Sequence, residues 1–387
     1  MEIRGGMALL RDVQEKGLCV DCGGCVGLCP YFRSHRGRVA MLFDCNLEQG
    51  RCHVHCPKAE VDMDAVSRKV PGGAYTGKPA GRFRRIVKSR AGQKMAGRAR
   101  YQNGGTVSSL LALAFDTGLI DAAALTDRKG LMPRPRVVTD VAGVLACASS
   151  KYMASPTVAA VHEAFSSGFR RIAMVGTPCQ VTAVGQMRCD PLGRNDMDPM
   201  ALTIGLFCTW ALDARLLSDL MPAETDTEAI TGMDVPPPPS SVFSLHTRNG
   251  PVDLPLETVR RAIPDGCRVC PDMTAEFTDL SVGALEKDTA WNVLICRTEA
   301  GEALFETAVA RGYLETVPMD PDQAAGLLKA ASAKKARALA KVREEGALNR
   351  KEGPSVFHMA PAVVDDIMNR TSPLPSPSPG RRDESSA

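Results

Sequence analysis

The chain has few aromatic residues, 5% of 387 positions, and almost no net charge, +3 at pH 7. It also has no long uninterrupted apolar run. Each shortage removes a class of function. The longest apolar stretch, Met200 to Leu212, is broken by Thr203, Gly205 and Thr209. It is too short to cross a bilayer and reads as a buried strand entering a helix, so no membrane span is expected. The opening Met1-Glu2-Ile3-Arg4 leads into charged residues instead of an apolar signal region, which points to a cytoplasmic protein. So small a net charge does not call for nucleic acid. A basic run does occur, with Arg82, Arg84, Arg85, Lys88, Arg90, Lys94, Arg98 and Arg100 uninterrupted by any acid. It lacks the interleaved aromatics on which bases stack, so no nucleic-acid partner is expected. A solvated face, an anionic cofactor or an acidic partner subunit are the readings that stand.

Cysteine is what the chain has in excess. Fourteen Cys fall in groups instead of the scattered pairs of a disulfide framework, as reduced, metal-binding thiols do. The first group is Cys19-Val-Asp-Cys22-Gly-Gly-Cys25-Val-Gly-Leu-Cys29-Pro30. Three thiolates spaced three apart on a tight loop grip three irons of a 4Fe-4S cube, and the fourth Cys, just before Pro, reaches across to another cluster. A zinc ribbon wants two Cys-x2-Cys knuckles separated by a longer span. The second group, Cys45, Cys52 and Cys56 followed by Pro57, ends like a second ferredoxin half but has lost its middle ligand. On the two-cluster plan Cys56 completes the cluster of Cys19, Cys22 and Cys25. Cys29, Cys45 and Cys52 are then one thiolate short. A three-iron cluster, a four-iron cluster with His53 or His55 as ligand, and no second cluster are all open.

Downstream, strands and helices alternate. The turn Gln102-Asn103-Gly104-Gly105-Thr106 precedes an apolar helix from Val107 to Thr117, closed by Gly118. Glycines at a helix N-terminus expose N–H groups to a phosphate or a flavin edge, or simply make a tight turn. Ser155 is placed as the cap of a helix with Pro156 in its first turn. The strand Arg171 to Gly176 delivers Thr177-Pro178-Cys179-Gln180 onto the next helix, and the strand Leu202 to Phe207 delivers Cys208. Both cysteines then lie at one edge of an α/β sheet, where ligands collect. Cys267-Arg-Val-Cys270 is a redox dithiol or half of a metal site, and Cys179 with Cys208 supplies the other half. Val242–Leu245 and Val252–Leu254 form a hairpin through Asn249-Gly250. A long Ala- and Lys-rich helix from Asp320 to about Arg350 has a thin apolar face, suited to the surface or to a partner.

The fold class expected is α/β: a ferredoxin-like iron-sulfur arm over 1–70, then an α/β flavin-binding core with halves at 82–168 and 169–318. A helix over 319–352 and a disordered Ser- and Pro-rich tail over 371–387 complete the chain.

Taken in order, seven marks resemble the family of beta subunits of coenzyme F420-reducing hydrogenases and F420-dependent formate dehydrogenases. They are the Cys19–Pro30 run, Asn103-Gly-Gly-Thr106 with Gly118-Leu-Ile-Asp121, Ser150-Lys-Tyr152, Gly176-Thr-Pro-Cys-Gln180, Gly205-Leu-Phe-Cys208, Cys267-x2-Cys270 and Asp279-Leu-Ser-Val-Gly283. The resemblance implies a flavoprotein that relays electrons between one-electron 4Fe-4S clusters and a two-electron deazaflavin, coenzyme F420, beside other redox subunits. It implies FAD at Asn103, Gly104, Gly105, Thr106, Ser150, Lys151, Tyr152, Gly176, Thr177, Pro178 and Gln180, and a cluster at Cys179, Cys208, Cys267 and Cys270. Lys151 is the expected catalytic residue, steadying negative charge on the flavin. A hydrogenase, formate dehydrogenase or heterodisulfide-reductase-type complex fed by NAD(P)H or ferredoxin is the alternative, as is a subunit without its own hydride site.

Overall fold

A computed structural model describes residues 3–99, 101–192, 200–237, 239–285, 288–350 and 353–370. The expected tail over 371–387 and Arg100 of the basic run lie outside these residues. The centre is an eight-stranded mixed sheet in the order Leu314–Pro318, Arg85–Ala91, Asn292–Cys296, Leu280–Ala284, Met200–Leu206, Ile172–Gly176, Ala122–Lys129, Met132–Val138. Four neighbours, 280–284, 200–206, 172–176 and 122–129, run parallel. Buried on both faces, the Ile172–Gly176 strand has no polar residue to alternate with, which is why it reads as a continuous apolar run.

The Thr106–Asp116 helix places Leu110, Leu111 and Leu113 in the core that covers one sheet face, with Ala123, Val175, Ile204, Leu280 and Leu294. Burying each Leu side chain contributes roughly 1.5–3 kcal/mol. Helix Thr157–Ser166 starts one residue later than Ser155 leads one to expect, because Pro156 takes the cap position. The Ser155 carbonyl instead accepts the Gln180 amide at 2.7 Å.

The cysteine-rich first 70 residues are built into the rest of the chain. Leu9, Phe32, Val61 and Val66 share one core with Phe277, Leu339, Phe357 and Ile367. Val61 and Asp62 pair in parallel with Phe357 and His358. The long helix spans Pro321–Glu344, ending short of Arg350. Over its second half the apolar face is covered within the chain: Ala331, Lys334, Lys335, Ala336, Leu339 and Val342 are buried.

Part of the basic run forms the second strand of the sheet, Arg85–Ala91, and four of its charges are matched by distant acids. Arg84 and Arg85 meet Glu302, Lys88 meets Asp288 and Arg90 meets Glu315. For these four residues the pairing fits a solvated face. Among the described residues no helix is long and apolar enough to cross a membrane.

Candidate functional site

The parallel strands end at one edge, and the sequence motifs arrive there from several elements. Cys179 follows the strand ending at Gly176, and Cys208 follows its neighbour ending at Leu206. Pro178 starts the helix Pro178–Arg188, and the Thr177 amide is bonded to Gln180 Oε1 at 2.8 Å, which fixes the first turn. Gln180 Nε2 then ties Ser155 and Thr157. Gln180 therefore holds its own loops together with both polar atoms.

Cys267 sits on the short helix Asp265–Arg268 and Cys270 just beyond it. With Cys179, Cys208, Thr177, Pro178 and Lys334 they line one cavity. A second cavity is lined by Cys19, Cys22, Cys25 and Cys56, together with Lys58. The spacing argument from the sequence placed Cys56 with the first three, and the fold brings it there. The two cavities share Val20. Cys22 is close enough to Cys179 for that thiol to raise its cost of ionising, after burial and Cys56. Gly23, between the ligand candidates, packs its Cα face on the Pro156 carbonyl, so close that a Cβ would meet that oxygen at 2.4 Å. That close approach, made at a positive φ, accounts for the residue type.

Burial pushes these thiols up. Cys22 and Cys25 lie well above the free thiol, through burial first and their neighbouring thiols second. Cys56 and Cys179 are pushed up to about 12, by burial before any neighbouring group. Cys208 is raised further still by burial, against the opposing charge of Lys334. Groups so placed stay neutral unless a cationic centre compensates them. Among the described residues no three His, Cys, Asp or Glu side chains converge in the way the ligands of a single ion do.

Cys29, Cys45 and Cys52 form a third, looser group: Cys52 is pushed up to about 11 by burial and then by Cys29 and Cys45. The two histidines beside it are buried, not exposed as loop histidines commonly are. His55 Nε2 is engaged by Asp190 at 2.8 Å, so that nitrogen is directed away from a ligand role.

At the same sheet edge the turn after Ala91 and the loop 149–152 come together. Gln102 Oε1 accepts the Ser150 amide at 2.7 Å, while Gln102 Nε2 donates to the Met233 carbonyl and to Asp234. Ser149 and Tyr152 both adopt positive φ, 92° and 55°, an unusual backbone for residues with a Cβ. The Tyr152 ring packs edge-on against Phe243 of the small antiparallel sheet 230–255. Lys151 Nζ donates to the Cys147 carbonyl at 2.5 Å and to the Ser149 carbonyl at 2.8 Å, capping the Val141–Ala146 helix. Burial lowers Lys151 to about 8.

The Asn103–Thr106 turn is packed more tightly by protein than its glycines suggest. A Cβ on Gly104 would strike Asn292 and the Ser89 carbonyl, and one on Gly105, φ 79°, would strike the Tyr101 ring. The Thr106 amide is bonded to Asn292 Oδ1 at 3.3 Å, and its hydroxyl to Ser89. The motifs thus form two assemblies on one edge: 102–106 with 150–152, and 177–180 with the four cysteines. Residues 153–155 run from the first to the second and line the cavity of the second.

Lys58, Lys334 and Gln102 are the site residues that sequence reasoning missed. The position of Lys58 directly after Cys56-Pro57 and that of Gln102 at the head of the glycine turn were the hints.

Two family descriptions match this chain. Both are of the coenzyme F420 hydrogenase/dehydrogenase beta subunit, its N-terminal part over residues 90–162 and its C-terminal part over 169–322. The beta subunit of the coenzyme F420 hydrogenase of Methanothermobacter thermautotrophicus is 29% identical over 266 residues, covering 66% of this chain and 92% of that protein. A subunit of the F(420)H(2) dehydrogenase of Methanosarcina mazei is 28% identical over 306 residues, 77% of this chain and 84% of that one. A chain in the structure of the F420-reducing NiFe hydrogenase complex from Methanosarcina barkeri shares the fold with a TM-score of 0.63 at 25% identity, covering 69% of this chain and 93% of its own length. With two family matches that together span more than half of it and a sheet shared with a chain of that complex, this mixed α/β protein belongs to the family of coenzyme F420 hydrogenase/dehydrogenase beta subunits.

Proposed function

We propose that this chain is an iron-sulfur flavoprotein oxidoreductase subunit that passes electrons between a two-electron carrier of the coenzyme F420 type and a partner redox subunit. The observation that carries the reading is the cavity lined by Cys179, Cys208, Cys267 and Cys270 beside Thr177 and Pro178. Four cysteines set around a cavity suit a 4Fe-4S cube, and the Cys19, Cys22, Cys25 and Cys56 cavity suits a second. The Cys29, Cys45 and Cys52 group is the place for a third. When bound, FAD supplies hydride acceptance and the clusters supply one-electron steps.

The chain's own residues do the rest. The buried cysteine loops keep water from the clusters, and the shared Val20 keeps the two cavities adjacent. Asn103 to Thr106, Ser150 to Tyr152 and Gly176 to Gln180 are the segments that would hold FAD. Lys151, at about 8, is bonded to that loop's backbone and is available to an anion if it leaves its carbonyls. The relatives are subunits of F420 hydrogenase and F(420)H(2) dehydrogenase, which supports other redox subunits as partners.

Anaerobic purification followed by iron, sulfide, zinc and flavin analysis tests the reading. Stoichiometric FAD with about eight or more irons per chain, two four-iron clusters' worth, supports it. Zinc without sulfide overturns it. Reduced F420 should bleach the flavin, and NADH should do so more slowly or not at all; full reduction by NADH alone removes the F420 assignment.

One observation favours a second reading, an electron-transfer subunit without a hydride site. The Gly104-Gly105 turn is filled by Asn292, Ser89 and Tyr101, and Lys151 is turned onto backbone carbonyls. Normal iron with no flavin would select it.

A further inference from the structure

Two lysines are buried against the cysteine cavities, and nothing in the mechanism above uses them. Lys334, 6% exposed on the long helix, donates to the Cys208 carbonyl at 2.6 Å and to the Asp272 carbonyl at 2.7 Å. It lines the cavity of Cys179, Cys208, Cys267 and Cys270. Lys58, 3% exposed, lines the cavity of Cys19, Cys22, Cys25 and Cys56. Burying an ammonium is costly unless a negative charge compensates it. Lys335, the next residue on the helix, has its carboxylate in Glu276. The hydrogen-bond partners of Lys334 are two neutral carbonyls, and the negative groups its charge meets are Cys270 and Cys208 of the cavity, then the Asp272 carboxylate.

We infer that Lys334 is a positioning residue for electrons: its fixed charge raises the reduction potential of the cluster held by Cys179, Cys208, Cys267 and Cys270, making that site the acceptor next to the hydride carrier. The inference rests on the proposed function above. A 4Fe-4S cube with four thiolates is an anion whose charge grows by one on reduction. A cation held beside it in a low-dielectric cavity therefore favours the reduced form. The two electrons of the hydride would reach this site one at a time through the flavin and would leave one at a time toward the Cys19, Cys22, Cys25 and Cys56 site and the partner redox subunit, so no further oxidant is required. Lys58 holds the corresponding place at the cavity of Cys19, Cys22, Cys25 and Cys56.

The test is an EPR-monitored redox titration of the anaerobically purified full chain, with iron and sulfide measured on every sample. Lys334→Met, with cluster content retained, should lower the reduced-to-oxidised ratio of the inner cluster, that of Cys179, Cys208, Cys267 and Cys270, at least tenfold at a fixed poise. That corresponds to about 59 mV for a one-electron couple. The outer cluster, that of Cys19, Cys22, Cys25 and Cys56, should stay unmoved, Lys334→Arg should restore the inner value, and Lys58→Met should shift the outer cluster. Should Lys334→Met lose the cluster, Lys334→Gln and Lys334→Arg carry the comparison: a negative shift in the first and none in the second supports the inference. An inner potential unchanged in Lys334→Met or Lys334→Gln at full iron content overturns it, as does an equal shift of both clusters. A chain from which Cys179→Ser removes no iron overturns the cluster assignment instead, and is read from the iron analysis alone.

Discussion

The Ser150 amide donates to Gln102 Oε1 at 2.7 Å, joining two segments 48 residues apart in sequence. Neither segment is a site alone. The turn 102–106 follows the strand that ends at Ala91, and the loop 149–152 arrives from the Val141–Ala146 helix. Gln102 holds them in register by also reaching Met233 and Asp234.

Gln102→Ala should leave the half-buried Ser150 N–H unmatched, at a cost of about 1–2 kcal/mol. If the turn and the loop hold FAD between them, flavin affinity should fall about tenfold for each 1.4 kcal/mol lost. Flavin retained after gel filtration, with fluorescence titration of the stripped protein, checks this. Unchanged affinity would separate the loop from flavin binding.

Cys179→Ser should remove one cluster, about four irons, and leave the N-terminal one. Iron and sulfide analysis with EPR checks it. Loss of all iron would break the assignment of two independent sites, even though Cys22 and Cys179 are neighbours.

Lys335 and Glu276 form an ion pair in the interior, with the Tyr75 hydroxyl accepting a further contact from Lys335 Nζ at 2.8 Å. The Glu276 charge holds Lys335 in its ammonium form against the burial that opposes it. Lys335→Met should strand a buried carboxylate and destabilise the fold by about 3–5 kcal/mol, whereas pairing it with Glu276→Leu should recover most of that. Urea midpoints of the two variants decide the matter.

His162 is buried, with Nδ1 at 2.7 Å from the Val26 carbonyl, and burial lowers its pKa to about 4. The folded state therefore binds its proton less readily than the unfolded chain, whose His titrates near 6.5. Its contribution to stability is complete above about pH 6.5 and is lost as pH falls toward 4, by up to about 3 kcal/mol. His162→Asn keeps a donor for Val26 and should remove this part of the acid sensitivity. Denaturant midpoints at pH 7 and pH 5 for both proteins measure the difference, and an identical slope would refute it.

Much of the site was legible because it is written in local pattern. Cysteine spacing, the apolar run 172–176 and the glycine turn each arise from a few adjacent residues, and from these the α/β alternation and the pairing of Cys179 with Cys208 at one edge follow. The family resemblance added the joining of distant motifs. Residue type alone left the glycines ambiguous, and the close packing of Asn292, Ser89 and Tyr101 around them came only with the fold.

Other features had no local signal. The acids that match the basic strand, Glu302 and Glu315, lie more than 200 residues away, so the run looked unpaired along the chain. The long helix looked peripheral because lysine is usually exposed, and only the fold shows Lys334 and Lys335 turned inward where carbonyls and a carboxylate receive them. Spacing along the chain grouped Cys19, Cys22 and Cys25 with Cys56, which line one cavity. The proximity of the cysteine sets to one another, and the cations beside them, were decided by tertiary packing, because burial and charge pairing depend on neighbours that sequence distance does not encode.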